Sequence, residues 1–273
     1  MRMEFGRGYN NSDKPTEDLF YVNNCGSYKK VDFEMKVNRA RGRHDYQIIY
    51  VSEGRLWCIS DNEKRYAKKG SLIIYKPGEP QVYGCFPEDG ASYDWIHFTG
   101  SLAEKIMDEL KLESGIYDVG AFTSFSHACS EIINECRKNK QSGEIRITGL
   151  ALSVIGEIPD KIKKIRIQRF EDIVCLMSQD KPNGTKISEY ARMSGLSCGH
   201  FIKEFRAVYD MSPASYRLWL LIERSKPLLA ESDLSIRDIA QRAGFDDALY
   251  FSRAFKKITG FSPEKYRIKN KEV

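Results

Sequence analysis

Seven side chains near the C-terminus could hydrogen-bond a polyanion. They are His200, Lys203 and Arg206 and then, about 50 residues on, Tyr250, Arg253, Lys256 and Lys257. Wound at ~100° per residue, each set falls on one side of a helix. Gly199 and Ala207 leave room within the first set, and Leu249 joins the second. The opposite sides carry Phe201, Phe205 and Val208 in one case and Phe251, Phe255 and Ile258 in the other. Arginine and lysine can donate to guanine edges in a major groove, and all of these polar groups can donate to phosphate. Exposed Lys and Arg are ordinary on any single helix. Two matching basic faces are far less so.

Such faces need short helices behind sharp turns, and the sequence supplies the arrangement twice. The first copy is Ile187-Ser-Glu-Tyr-Ala191, Gly195, Phe201-x-x-x-Phe205 and Ser212-Pro213-x-x-Tyr216. The second is Ile236-Arg-Asp-Ile-Ala240, Gly244, Phe251-x-x-x-Phe255 and Ser262-Pro263-x-x-Tyr266. A helix carrying Ala, a Gly turn and a helix carrying two Phe is the pattern of a helix-turn-helix, and two in tandem would span two turns of duplex. Ser235 with Asp238 approximates a capping box, Asp246 or Asp247 starts the second helix of the second copy, and Ser197 caps its counterpart. Ile236, Ile239, Ala240 and Ala243 form the inner face of the helix before Gly244.

Charge follows the same division. Residues 166–273 hold 19 Lys and Arg against 14 Asp and Glu, which accounts for the whole net charge of +5. Residues 1–165 are balanced at 24 of each. The surplus lies where phosphate attraction would use it.

The N-terminal half has a different texture. Tyr46–Val51 and Leu72–Tyr75 are β-branched and aromatic runs, set off by the turn pairs Glu53-Gly54, Asp61-Asn62, Lys69-Gly70 and Pro77-Gly78. Many short strands at such spacing predict a sandwich or barrel. After Gly100 the periodicity becomes helical over Ser101–Leu110, Ser124–Asn139 and Ile145–Ile158. The polar stretch Pro159–Lys164 is the expected linker, and Arg166–Ser178 opens a C-terminal helical domain. In Tyr93-Asp-Trp-Ile-His97, positions 93, 95 and 97 face one side of a strand, and Gln81 and Tyr83 share a face on another. Aromatic plates with phenol and amide donors suit sugar rings.

Other chemistry is poorly supplied. His44 and His97 are the histidines of this half that a metal-binding barrel could use, too few for a catalytic centre built from several His and a carboxylate. The seven cysteines (Cys25, Cys58, Cys85, Cys129, Cys136, Cys175 and Cys198) show no C-x-x-C, so the expectation is free thiols in a reducing compartment. No Cys stands beside a His, which argues against an alkyl-transfer enzyme. Met1–Ser12 lacks an apolar leader core, and no run reaches the roughly 18 apolar residues of a membrane helix, so a cytoplasmic location is expected.

Ala240-x-x-Ala-Gly-Phe245, Tyr250-Phe-Ser-Arg-Ala-Phe-Lys256 and Gly260-Phe-Ser-Pro263-x-x-Tyr-Arg267 together resemble the signature of the AraC/XylS family of transcriptional regulators. Arg39–Tyr46, Gly70–Tyr83 and Tyr93–Phe98 resemble the cupin-like effector domain that precedes the DNA reader in many members. The resemblance implies an α+β chain: a cupin-like jelly-roll barrel over 1–100, a helical dimerisation region and linker over 101–160, and a tandem helix-turn-helix domain over 161–273. It implies duplex promoter DNA, a second copy of the chain and a small effector as partners, with RNA polymerase as a further one and no cofactor or metal. Matched to the family's sugar-binding pattern, the ligand residues are Arg39, Tyr83, Tyr93 and Trp95, with Gln81 beside them. Gln81 stands where a metal cupin would carry a second-motif His, so a sugar-isomerase-like enzyme fused to a DNA module is the lesser alternative. In the family one helix connects the two readers. Here Pro227 falls inside that segment, which predicts a kink or an early end.

Overall fold

Short strands separated by turn pairs fold into two facing antiparallel sheets. In chain order they are β1 (Arg2–Phe5), β2 (Tyr21–Lys29), β3 (Met35–Arg39), β4 (Tyr46–Glu53), β5 (Arg55–Ser60), β6 (Glu63–Lys68), β7 (Ser71–Tyr75), β8 (Gln81–Cys85), β9 (Ser92–Thr99) and β10 (Gly115–Asp118). This computed structural model describes residues 2–5, 19–60, 63–138 and 143–271. The Asp61-Asn62 turn, Asn139 and most of Met1–Ser12 lie outside them. The large sheet runs β1-β2-β9-β4-β7-β10 and the small sheet β3-β8-β5-β6. Eight of these strands, β2-β9-β4-β7 against β3-β8-β5-β6, have the jelly-roll order that the resemblance implies, within the sandwich-or-barrel class that the sequence texture predicts.

The inner faces share one core. Ile49, Val51, Ile73, Tyr93 and Trp95 come from the large sheet and Leu56, Cys58, Tyr83 and Cys85 from the small one. The outer face of the large sheet is covered too. Helices α1 (Ser101–Glu109), α2 (Thr123–Lys138) and the start of α3 (Gly143–Gln179) supply Met107, Phe125, Ile132, Ala151 and Ile155 against Ile48, Tyr50, Leu72, Ile96 and Phe98. All eight residues of β9 are therefore buried. The chain divides into two units, residues 1–165 and 166–273, and the helices of 101–160 belong with the barrel.

The expected linker is helical. Pro159–Lys164 lies inside α3, a helix of 37 residues. Pro159 removes one backbone donor at a cost of about 3 kcal/mol, but Ile155, Ile158 and Ile162 continue one apolar stripe across it onto the core. Lys161 donates to the Ala121 carbonyl at 3.1 Å and sits 5.1 Å from the centre of the Phe122 ring. The polar residues that suggest a linker are the outer face of this helix.

The second unit is all helical: the end of α3, then α4 (Ile187–Met193), α5 (Cys198–Tyr209), α6 (Pro213–Glu231), α7 (Ile236–Arg242), α8 (Ala248–Thr259) and α9 (Pro263–Lys271). The early end expected at Pro227 does not occur, because α6 continues to Glu231. Leu229 is fully buried in the core beyond it, and the Ser232 hydroxyl donates to the Leu228 carbonyl, which holds the last turn. Among the described residues no helix is long and apolar enough to cross a membrane.

Candidate functional site

Two places in the chain gather the residues singled out by sequence. The first is a pair of helix-turn-helix units, α4–α5 and α7–α8. Gly195 and Gly244 make the turns with φ of 71° and 95°, values that a side chain would oppose. Ser197 caps α5 by accepting from the His200 N–H, and Asp247 caps α8 by accepting from the Leu249 N–H. Ser235 caps α7 through the Asp238 N–H at 3.1 Å and donates to the Asp238 carboxylate at 2.6 Å. Ser235→Ala should cost about 1 kcal/mol, read as faster amide exchange confined to α7. An unchanged α7 would mean that tertiary packing alone holds it.

The caps fix the phase of each helix. Phe201 and Phe205 of α5, and Phe251 and Phe255 of α8, are fully buried, and Ile258 is partly so. His200, Lys203 and Arg206 are exposed on α5, as are Tyr250, Arg253, Lys256 and Lys257 on α8. Leu249 beside them is 70% exposed. His200 is not wholly free, since its Nε2 lies 3.7 Å from the Glu204 carboxylate, which also meets Arg166 at 3.3 Å. These two outward faces offer arginine, lysine and phenol donors with an apolar neighbour, the groups that read base edges and phosphates.

One structural feature of the repeat escapes the sequence pattern. The arginine after each closing tyrosine reaches back to the loop before its reader. Arg217 donates to the Thr185 and Pro182 carbonyls at 2.6 and 2.8 Å, and Arg267 to the Leu234 carbonyl at 2.5 Å. Arg217 also pairs with Asp180 at 3.1 Å, where Tyr190 donates to the same carboxylate oxygen. The matching Tyr-Arg dipeptides could have flagged this.

The second place is a cavity of about 100 Å³ in the barrel. Arg39, Tyr83, Tyr93 and Trp95 all line it, so the structure brings four of the five candidate ligand residues together. Gln81 lies behind them, fully buried, and accepts from Arg39 Nη1 at 2.8 Å. Trp95 and Tyr93 stand 5.7 Å apart by ring centre, and Tyr28 from β2 packs on both. Gly26 is opposite Trp95 in the β2–β9 register, and a Cβ there would collide with the indole. The indole N–H donates to Asn24 at 2.7 Å, and Tyr83 accepts from Gln47 Nε2 at 3.0 Å.

Beside the cavity is a buried polar cluster that sequence reasoning missed. Asp45 accepts from Arg43 Nε and Nη2, both at 2.8 Å, and from Asn23 at 2.8 Å, and it contacts His97 Nδ1 at 3.1 Å. Burial alone would raise the Asp45 pKa, but the hydrogen bonds from Arg43, His97 and Asn23 hold it well below the usual carboxylate range. Burial pushes the His97 pKa down and Asp45 only partly offsets it, so His97 is held neutral. His97 lines the cavity, on the same side of β9 as Tyr93 and Trp95, whereas His44 is exposed. Burial also pushes the thiols of Cys58 and Cys85 up to about 11, which keeps them protonated.

Comparison with known proteins bears on both places. Residues 32–155 match a family model described as an AraC-like ligand binding domain, and residues 190–269 match one described as a helix-turn-helix domain. The regulator ExsA of Pseudomonas aeruginosa is 30% identical over 255 residues, covering 86% of this chain and 88% of that protein. The chain belongs to the AraC family of transcriptional regulators. The MmsAB operon regulatory protein of P. aeruginosa is 27% identical over 266 residues, 93% of this chain and 84% of its own length. The arabinose operon regulatory protein of Escherichia coli is 25% identical over 244 residues, 85% and 83% of the two chains. As an AraC-family regulator the chain pairs an effector-binding barrel with a DNA-binding helix-turn-helix domain, the cavity lying in the first and the basic faces in the second.

Proposed function

We propose that this regulator activates carbohydrate-utilisation genes from a promoter site read by α5 and α8, under control of a sugar-type effector held in the barrel. The observation that carries the DNA assignment is the pair of exposed basic faces, each fixed by an N-cap and a buried Phe pair. His200, Lys203 and Arg206 contact one stretch of groove and Tyr250, Arg253, Lys256 and Lys257 the next. The sugar assignment rests on the aromatic walls at Tyr83, Tyr93 and Trp95 and on regulators of sugar operons among the relatives. The chain works as a homodimer, since two-fold pairing doubles the contact set on a promoter. The inner faces of α1–α3 are used by the barrel, so pairing falls to their outer faces, where Ile145 is 80% exposed. Contact with RNA polymerase at the promoter completes an activator of this design. Effector control requires a ligand that favours one DNA-binding arrangement over another.

The DNA assignment is tested on the promoter fragment that the full chain selects from its own genome. Arg253→Ala should weaken specific binding by about 1–3 kcal/mol. Lys257→Ala should weaken binding to all sequences alike, as a phosphate contact does. Parent-like affinity in both variants would overturn the assignment of these faces.

A further inference from the structure

The cavity has hydrogen-bond donors in excess and few acceptors to match them. Lys36, Arg39, Arg43 and His97 line it, and among the described residues no Asp or Glu does. Asp45, which pairs with the lining residues Arg43 and His97, is already engaged by them and by Asn23. Arg43 is thereby compensated, whereas among the described residues no carboxylate pairs with Arg39. Among the described residues its hydrogen-bond partner is the neutral amide of Gln81. A guanidinium only donates, so Gln81 must present its oxygen to Arg39. The Gln81 nitrogen, fully buried, is left with no acceptor among the described residues. Tyr83, also buried, spends an oxygen lone pair on Gln47 and keeps its own proton to give away.

A neutral sugar brings donors and acceptors in similar number and would leave Arg39 half-buried without a counter-charge, a costly state. An ionised carboxylate or phosphate brings acceptors alone and fits a guanidinium with two parallel bonds. Few acceptors remain, among them Gln47 Oε1, buried without a partner among the described residues, and the His97 ring. With Nδ1–H directed at Asp45, the His97 ring offers Nε2 as a lone pair. It would take a hydroxyl proton from the ligand.

We propose that the effector is an anionic carbohydrate, a sugar acid or a phosphorylated sugar. Its charged group sits on Arg39, with Tyr83 and Gln81 as further donors. Its ring lies against Trp95 and Tyr93, and one hydroxyl donates to His97. This rests on the assignment of the barrel as the effector site and names the class of molecule it takes.

The test uses the full chain and matched probes: galactose, galacturonate and galactose 6-phosphate, and glucose with glucuronate and glucose 6-phosphate. Binding is read by tryptophan fluorescence and by calorimetry. The anionic member of at least one trio should bind about tenfold or more tightly than its neutral counterpart, the scale of a hydrogen bond to a charged group. Arg39→Gln should remove that preference, and Arg39→Lys should restore part of it. A carboxylate preference would mark a sugar acid and a phosphate preference a sugar phosphate. Trp95→Phe keeps an aromatic wall and should keep the preference for the anion. A neutral sugar that binds as tightly as its anionic counterpart overturns the anion and leaves the effector site standing. So does an anion whose affinity ignores Arg39. Absence of saturable binding by every probe overturns both.

Discussion

Asp45→Asn is expected to destabilise the N-terminal unit by about 3–5 kcal/mol, the range for breaking a buried ion pair from one side. The side chain of Asp45 is 1% exposed and that of Arg43 is 13% exposed, so water cannot take over the lost partner. The amide also turns one acceptor into a donor facing Arg43, Asn23 or His97, each of which donates to the carboxylate now. The cluster ties β2, the entry to β4 and β9 together through Asn23, Asp45 and His97, so amide exchange across those strands is the measurement. Parent-like protection there would show that the strands hold without it. Acid should act on the parent in two steps. Below about pH 6.5, His97 would be charged in the unfolded chain but is held neutral in the fold. Below about pH 4, Asp45 would be protonated in the unfolded chain but stays ionised in the fold. In both cases the unfolded state binds more protons, so stability falls as pH falls. Asp45→Asn should make the lower step shallower and the upper one deeper, because the charge that partly offsets the burial of His97 is gone.

The readers were legible in the sequence because everything that specifies them is local. A cap, a Gly turn and a Phe pair four residues apart fall within about 20 residues, and helical phase then decides which cations face out. The barrel was legible as a class but not as a wiring diagram. Alternation in Tyr93-Asp-Trp-Ile-His97 groups three side chains, yet it says nothing of the partners that β9 meets. Asn24, which takes the Trp95 N–H, is 71 residues away. Burial on both faces of the large sheet also erases the polar alternation that would mark the inside. Asp45 looks like a turn residue beside Arg43 and His44, and its role depends on His97 arriving from another strand. Pro159 misleads for a related reason. Its local penalty is real, but the stripe Ile155, Ile158 and Ile162 is settled by a core contributed by distant strands.

Phe251→Ala and Phe201→Ala should each cost about 3–5 kcal/mol, and each should melt one reader and spare the other. Both rings are fully buried, but in separate cores. Phe251 packs with Phe245 at 5.2 Å and Phe255 at 5.6 Å, inside a cluster with Leu221, Ile222, Leu229 and Ile239. Phe201 packs with Phe170 at 5.6 Å and Phe205 at 5.5 Å, inside a cluster with Ile173, Met177 and Tyr190. The two clusters share no residue, and α6 serves both from different positions, Leu221 and Ile222 to one and Tyr216 and Leu220 to the other. Cavities in independent cores add, so the double variant should lose the sum of the single losses. Amide exchange should open α7 and α8 in Phe251→Ala and α4 and α5 in Phe201→Ala. On promoter DNA each variant should lose protection over one of two adjacent groove segments and keep it over the other. If either substitution deprotects all four helices equally, α6 couples the readers into one cooperative body, and the tandem repeat acts as a single DNA-binding unit rather than two.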